Sequence, residues 1–157
     1  YLEHFSDFYS EYWWGLPAKF AVVGDSAYNL GLTNFLVNQL GLIPTRQIIT
    51  ENTPEEYHAF IKDLYKKVSP DVPTEVEFIE DGYTVNELLR KTDFGHRPPL
   101  LFATTWERDV AKELKGIIVE VGFPASYEVV LSRSYIGYTG ALSLLEKMYT
   151  SAISVSA

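Results

Sequence analysis

Lys19-Phe-Ala-Val-Val-Gly24-Asp25-Ser26 is the stretch that decides the fold. Four apolar residues in a row, closed by a glycine, are typical of a strand that is buried on both faces of a sheet. Asp25 or Ser26 can cap a helix, which we expect to run to about Leu40. A buried strand that turns directly into a helix predicts a parallel α/β fold.

The same alternation of strand and helix continues along the chain. Further strands are predicted at 43–50, 75–80, 100–103 and 116–121, and the third strand has the charged alternation of an edge strand. Helices are predicted to start at Thr53, Thr84 and Thr104, because each threonine stands three residues before a glutamate. Right-handed crossovers then predict a Rossmann-like open parallel sheet of about five strands with helices on both faces.

Three helices should present apolar stripes. The helix predicted to start at Thr53 carries a stripe at Tyr57, Phe60, Ile61, Leu64 and Val68. The last predicted helix carries a stripe at Ala141, Leu144, Leu145, Met148, Tyr149 and Ala152. Gly140 would let the last helix approach another backbone closely. Residues 1–16 read as an aromatic N-terminal helix before an α/β core at 17–157, and this helix packs either on its own domain or against a partner.

Composition limits the kind of protein. The 157 residues suit a single domain, and 46% hydrophobic content suits a packed core. The absence of cysteine excludes disulfides and thiolate-bound clusters. A net charge of -8 opposes binding to nucleic acid, and no membrane span is predicted, so we expect a cytoplasmic protein. Because the chain starts without methionine inside a helix, we expect a fragment of a longer multidomain chain.

If the strand order is 3-2-1-4-5, it reverses between the first and fourth strands, which places a ligand crevice at their carboxyl ends. Arg133 and a helix start near Tyr138 lie beside it and could hold an anion. The candidate ligand-binding residues are Gly24, Asp25, Ser26, Thr104, Thr105, Trp106, Arg133 and Tyr138. Helix caps and an arginine that binds loop carbonyls would explain the same residues without a ligand. The chain contains no catalytic motif, and its three scattered histidines predict no metal site.

The loop after the fifth strand carries the most specific sequence pattern. Gly122-Phe123-Pro124, Ser132-Arg133 and Gly137-Tyr138-Thr139-Gly140 resemble the C-terminal part of the nitrogenase component 1 type oxidoreductases. Upstream, Lys19–Asp25, Gly31-Leu32 and Phe35-Leu36 are similar to the last Rossmann-like domain of the same family. The length of the loop resembles that of the beta-type subunit of the molybdenum-iron protein.

The resemblance implies a role within a metal-cluster electron-transfer reductase of the kind that serves nitrogen fixation. Family members bind iron-sulfur or iron-molybdenum type clusters through cysteines that earlier domains mostly supply. This chain has no cysteine, and Ala125–Ser134 lacks the histidine that binds the cofactor in alpha-type subunits. The resemblance therefore implies a domain without a cofactor or catalysis of its own, which supplies scaffold and subunit interface.

The partners implied are other domains or subunits of a nitrogenase-like complex, or further copies of the same chain. An alternative stays open at this point. The crevice at Asp25, Thr104 and Arg133 would serve equally in a small-molecule or anion-binding module without catalysis.

Overall fold

The computed structural model describes residues 16–156, and these residues fold around a parallel sheet. Its strands are β1 (Lys19–Gly24), β2 (Ile43–Ile49), β3 (Glu75–Phe78), β4 (Leu100–Ala103) and β5 (Ile117–Glu120). The strand order is β3-β2-β1-β4-β5, and every neighbouring pair is parallel. The predicted Rossmann-like parallel sheet is confirmed, and the strand order is the one on which the predicted crevice depends.

Helices connect successive strands. They are α1 (Ser26–Asn38), α2 (Glu55–Val68), α3 (Gly82–Lys91), α4 (Arg108–Glu113) and α5 (Gly137–Ser156), and a short 3-10 helix at Thr105–Glu107 precedes α4. Within residues 16–156, none of these helices has the length and apolarity needed to cross a membrane. The predicted N-terminal helix falls on residues that the structure does not describe, apart from the buried Leu16.

Two apolar cores lie on opposite faces of the sheet, because successive side chains of a strand point to opposite faces. Phe20 and Val22 of β1 belong to a core with side chains of α1 and α5. Ala21 and Val23 belong to a second core with side chains of α3 and α4. β1 is therefore buried on both faces, as its apolar run predicts, and helices cover both faces of the sheet.

One of the three predicted capping boxes is present, at the end of β4. Thr104 Oγ1 accepts a hydrogen bond from the Trp106 amide at 3.2 Å, and the Thr104 amide donates to Glu107 Oε2 at 2.9 Å. This reciprocal pair confirms the predicted box.

The other two predicted capping boxes are wrong. α3 begins at Gly82, and Asp81 caps it by accepting from the Thr84 amide at 2.8 Å. Thr84 therefore lies inside the helix and is not its N-cap, because the Thr84 amide already donates to the Asp81 carboxylate three residues upstream. Pro54 stands at the N-cap of α2 without a side-chain hydrogen bond, and the Thr53 hydroxyl lies 3.5 Å from the carbonyl oxygen of Glu51 instead.

The apolar stripe predicted for α2 is only partly buried. Tyr57 is 51% exposed and Phe60 is 60% exposed, whereas Tyr65, outside the predicted stripe, is fully buried. Tyr65 packs with Ile49 of β2 and Val76 of β3 at one end of the sheet. The stripe of α5 is buried as predicted, from Leu144 to Ala152.

The start of α5 depends on two glycines. Gly137 has a φ of 72°, a conformation that favours glycine because it has no Cβ. A Cβ on Gly140 would lie 2.4 Å from the Tyr135 carbonyl carbon and 3.0 Å from the Ser134 carbonyl oxygen. The prediction that Gly140 allows a close backbone approach is therefore confirmed, and the approaching backbone belongs to the loop before the helix.

Gly140→Ala is expected to lower the free energy of unfolding by about 1–3 kcal/mol, since the new methyl group collides with backbone atoms that cannot turn away. Urea unfolding followed by circular dichroism measures this change. Gly31→Ala in α1 is the matched control, because a Cβ there meets no atom within 4 Å. It should raise stability by about 0.5–1 kcal/mol through helix propensity. Equal effects of the two changes would contradict the steric explanation.

Candidate functional site

The loop from β5 to α5 exposes large apolar side chains. Phe123, Val129, Leu131, Ile136 and the adjoining Tyr138 of α5 are each between 72% and 93% exposed. We call these five residues the loop patch. Large exposed apolar patches on soluble proteins mark interaction sites, and five such exposed side chains fall within residues 123–138. The loop patch is therefore one part of the candidate site.

Thr105 fastens the beginning of this loop to the end of β4. Its amide donates to the Pro124 carbonyl at 2.8 Å, and its hydroxyl accepts from the Ser126 amide at 2.7 Å. The same hydroxyl lies 3.3 Å from Glu120 Oε1. Thr105, a predicted ligand residue, thus holds the loop in place.

Glu128 ties the middle of the loop to α5. Its carboxylate accepts from Lys147 and, at 2.6 Å, from Arg133 Nη1. Lys147 also donates to the Glu120 carbonyl at 2.7 Å, so it bridges the loop and the end of β5. Burial acts to raise the pKa of Glu128, but the hydrogen bonds from Lys147 and Arg133 outweigh it and hold the pKa below its usual range.

Glu120 makes a second ion pair at the end of β5. Its carboxylate is buried and accepts from Arg108 Nη2 at 2.8 Å and from Arg108 Nε at 3.0 Å. The guanidinium group lies 4.1 Å from the centre of the Tyr127 ring, so it also packs on the loop. Both ion pairs line a polar cavity of about 410 Å³ beside β5.

The predicted crevice exists as a cavity of about 470 Å³ at the carboxyl ends of the strands. Four of the predicted site residues line this cavity: Gly24, Asp25, Thr104 and Arg133. The other four predicted residues, Ser26, Thr105, Trp106 and Tyr138, are not part of its lining. Loop residues that include Phe123, Val130 and Ile136 complete the wall.

Two carboxylates occupy the first amides of α1. Asp25 Oδ1 accepts from the Tyr28 amide at 2.8 Å, and Glu51 Oε1 accepts from the Ser26 amide at 3.0 Å. Within residues 16–156, neither carboxylate forms an ion pair with a basic side chain. The first amides of this helix are therefore already bound to carboxylates and are not free to bind an anionic ligand.

Tyr28 shows the effect of this charge on the crevice wall. Burial, the neighbouring Tyr135 and the Asp25 carboxylate together raise the pKa of Tyr28 to about 12. The Tyr28 hydroxyl is accordingly neutral at physiological pH and can act as a hydrogen-bond donor or acceptor.

Sequence reasoning missed Arg108, Glu120, Glu128 and Lys147, although these residues shape the loop and the cavity walls. Of these four residues, only Glu120 could have been identified from the sequence, because a charged residue at the end of a buried strand needs a partner. The partners themselves come from other elements, and no local spacing indicates them.

The residues present do not fit a metal cluster. The chain has no cysteine, and no group of three or more His, Asp or Glu side chains within residues 16–156 could hold a metal ion. His58 lies 2.9 Å from the Thr53 carbonyl through Nε2, and its ring stacks on Phe78. Clusters of iron and sulfur are held mainly by thiolates, so the described residues supply no cluster site.

Glu128→Gln is expected to lower the free energy of unfolding at neutral pH by about 1–2 kcal/mol, because it removes a charged acceptor from Lys147 and Arg133. The folded-state pKa of Glu128 is depressed, so its contribution is complete above the unfolded-state pKa and is lost as pH falls toward the folded-state value. Denaturant unfolding at neutral and acidic pH measures the difference.

Asp63→Asn provides a matched control for that experiment. Asp63 pairs with Lys67 on the exposed surface of α2, where solvent screens the interaction. We expect this variant to match the parent protein at neutral pH. A Glu128→Gln variant that behaves the same way would contradict the assigned role of Glu128.

Comparisons with known proteins agree with the geometry. The family model described as "Nitrogenase component 1 type Oxidoreductase" matches residues 2–153. The solved structure titled "Nitrogenase Cp1 at pH 6.5" superposes with a TM-score of 0.75 at 20% identity. The match covers 97% of this chain and 32% of that chain, so this chain spans about a third of its length. No curated protein matches the sequence.

The structural match shows a shared fold, and the family model covers nearly the whole sequence. The family predicted from Gly122-Phe123-Pro124 and Gly137-Tyr138-Thr139-Gly140 is thereby confirmed. The chain belongs to the nitrogenase component 1 type oxidoreductase family.

Proposed function

We propose that this chain is the C-terminal domain of a nitrogenase-like oxidoreductase, to which it contributes scaffold and subunit interface. The loop patch is the observation that carries the proposal. Its five side chains are almost fully exposed, although the loop that bears them is tied down by Thr105 and Glu128. A rigid loop that presents apolar side chains has the properties of a preorganised interface.

The extent of the structural match supports the same role. Because the match covers 32% of the nitrogenase Cp1 chain, two thirds of a chain of that kind would lie outside the present sequence. We propose that the loop patch faces these further domains or a second subunit. A second copy of the same chain is the other candidate partner.

The proposed domain has no chemistry of its own. The parent enzyme is proposed to be a cytoplasmic metal-cluster reductase, as in nitrogen fixation, on the strength of family membership. The donor set of this chain does not fit such a cluster, so no step of that reaction is assigned to its residues.

Leu131→Asp is expected to abolish assembly of the longer nitrogenase-like protein proposed to contain this domain, because it places a charge in the centre of the loop patch. Native mass spectrometry and size-exclusion chromatography measure the assembly. The variant should leave the unfolding free energy of the isolated domain unchanged, since Leu131 is 93% exposed.

Tyr83→Asp is the matched control for the interface. Tyr83 is 74% exposed on α3, which packs on the other face of the sheet from α5. This control should assemble normally. Normal assembly of both Leu131→Asp and Ile136→Asp would contradict the proposed interface.

The purified chain is expected to contain no stoichiometric iron after anaerobic cluster reconstitution, because it lacks thiolate ligands. Elemental analysis and the visible absorption spectrum measure this. One or more iron atoms bound per chain would overturn the assignment as a scaffold domain.

A small-molecule or anion-binding module without catalysis is the second candidate. The cavity that brings Gly24, Asp25, Thr104 and Arg133 together favours it. A thermal-shift screen separates the candidates, since a ligand at a hundredfold its dissociation constant stabilises the folded state by about 2.7 kcal/mol. No stabilisation by anions, nucleotides or tetrapyrroles would exclude the module.

A further inference from the structure

We propose that residues 1–14 of this chain fill an apolar groove between α1 and α5, with their aromatic side chains turned into the groove. These residues lie outside the part of the chain that the structure describes. Three features support the placement: the chemistry of the groove, the point at which the described chain begins, and the sequence of the segment. The placement goes beyond the proposed function, because it concerns how this chain packs on itself.

The groove is apolar and uncharged. It has a volume of about 300 Å³, and its walls come from α1, from the end of the loop and from the start of α5. None of the residues that line it carries a charge, and neither does any of the 13 residues of α1. Ala27 and Gly31, one turn apart on the α1 wall, are exposed. Since a surface helix normally turns polar or charged side chains to water, this face of α1 has the composition of a covered surface.

The described chain begins at the same two helices. Leu16 is 4% exposed and belongs to the core that also contains Leu32 of α1 and Leu144 of α5. Leu32 and Leu144 form part of the groove lining as well. Only Gly15 separates Leu16 from residues 1–14, so this segment joins the fold beside the groove.

The sequence of residues 1–14 suits such a groove. Its large apolar residues recur at spacings of three and four, which predicts one apolar stripe on a helix: Leu2, Phe5, Phe8, Tyr9, Tyr12 and Trp13. Its acidic residues recur every four positions on the opposite side of that helix: Glu3, Asp7 and Glu11. A helix of 14 residues is about 20 Å long, and α1, with 13 residues, has nearly the same length. The segment can therefore cover α1 along its length and keep its acidic side in water.

The short connection favours this segment over any other occupant. A segment tethered through a short flexible linker reaches an effective concentration in the millimolar range at its site. A helix of a partner, or the same segment of a second copy, would have to compete with it from solution. Filling the groove from within the chain also leaves Leu131 and the neighbouring loop patch residues to face a partner.

Paramagnetic relaxation in the full chain tests the placement. The sequence has no cysteine, so Asn34→Cys takes a single nitroxide label at an exposed site of α1 that does not line the groove. This label should broaden the indole signal of Trp13. Tyr83→Cys is the matched control, since Tyr83 is 74% exposed on α3, on the other face of the sheet. The control label should leave the Trp13 signal sharp.

A charge in the groove provides a second test. Gly31→Glu should release the segment, because a carboxylate covered by apolar side chains loses its hydration. With Trp14→Phe and Trp106→Phe as background, Trp13 is the single tryptophan, and its release is measured as stronger acrylamide quenching of its fluorescence. Asn34→Glu adds the same charge to an exposed site of α1 outside the groove and should leave the quenching at the parent level.

The inference is overturned if the label at position 34 leaves the Trp13 signal unchanged, or if both labels broaden it equally. Equal quenching in the Gly31→Glu and Asn34→Glu variants would overturn the placement in the groove. Broadening that arises only between a labelled chain and a separate isotope-enriched chain would assign the groove to a second copy, and so would also overturn it. These readouts are independent of the proposed interface, which is read from assembly of the Leu131→Asp variant.

Discussion

The structure depends on the burial of β1 on both of its faces. Phe20 and Val22 anchor one core while Ala21 and Val23 anchor the other, so neither face of the strand can meet water without exposing a core. A central strand of this kind needs neighbours on both edges, and β2 and β4 supply them. The connection from β3 to β4 crosses from one side of β1 to the other. The crevice therefore forms at the carboxyl ends of β1 and β4.

The end of the loop is set by a second steric constraint. Gly140 packs against the backbone of residues 134–135, and Gly137 adopts a positive φ at the start of α5. The Gly-Tyr-x-Gly pattern thus specifies how the loop meets the helix, and no reactive group is needed to explain its glycines. A pattern that identifies the family here reports local geometry, and the chemistry of the site has to come from other residues.

The sequence was sufficient for features set by runs of buried residues. It was not sufficient where two neighbouring caps compete, or where contacts between separate elements decide the outcome. The apolar run 20–23 is sufficient to predict a buried strand, and right-handed crossovers predict a parallel sheet. The crossovers leave more than one strand order open, so the order itself had to come from the structure. The cap at Thr84 failed because Asp81, three residues earlier, takes the same amide. The exposure of Phe60 could not be read from its stripe, since it depends on which elements surround α2.

The candidate site shows the same division. Gly24, Asp25 and Thr104 were predictable because they follow strands whose carboxyl ends must meet. The ion pairs of Glu120 with Arg108 and of Glu128 with Lys147 join residues that are 12 and 19 positions apart on different elements. Their partners are fixed only by the packing of α4, α5 and the loop around β5, which no local pattern encodes.

The two carboxylates at the start of α1 stabilise this helix in two ways. The partial positive charge at a helix start offsets some of their charge, and their hydrogen bonds satisfy the first amides. A serine or asparagine at position 25 would cap the helix about as well without any charge. The charge of a carboxylate adds a favourable interaction with the helix dipole, worth about 0.3–1 kcal/mol near the surface.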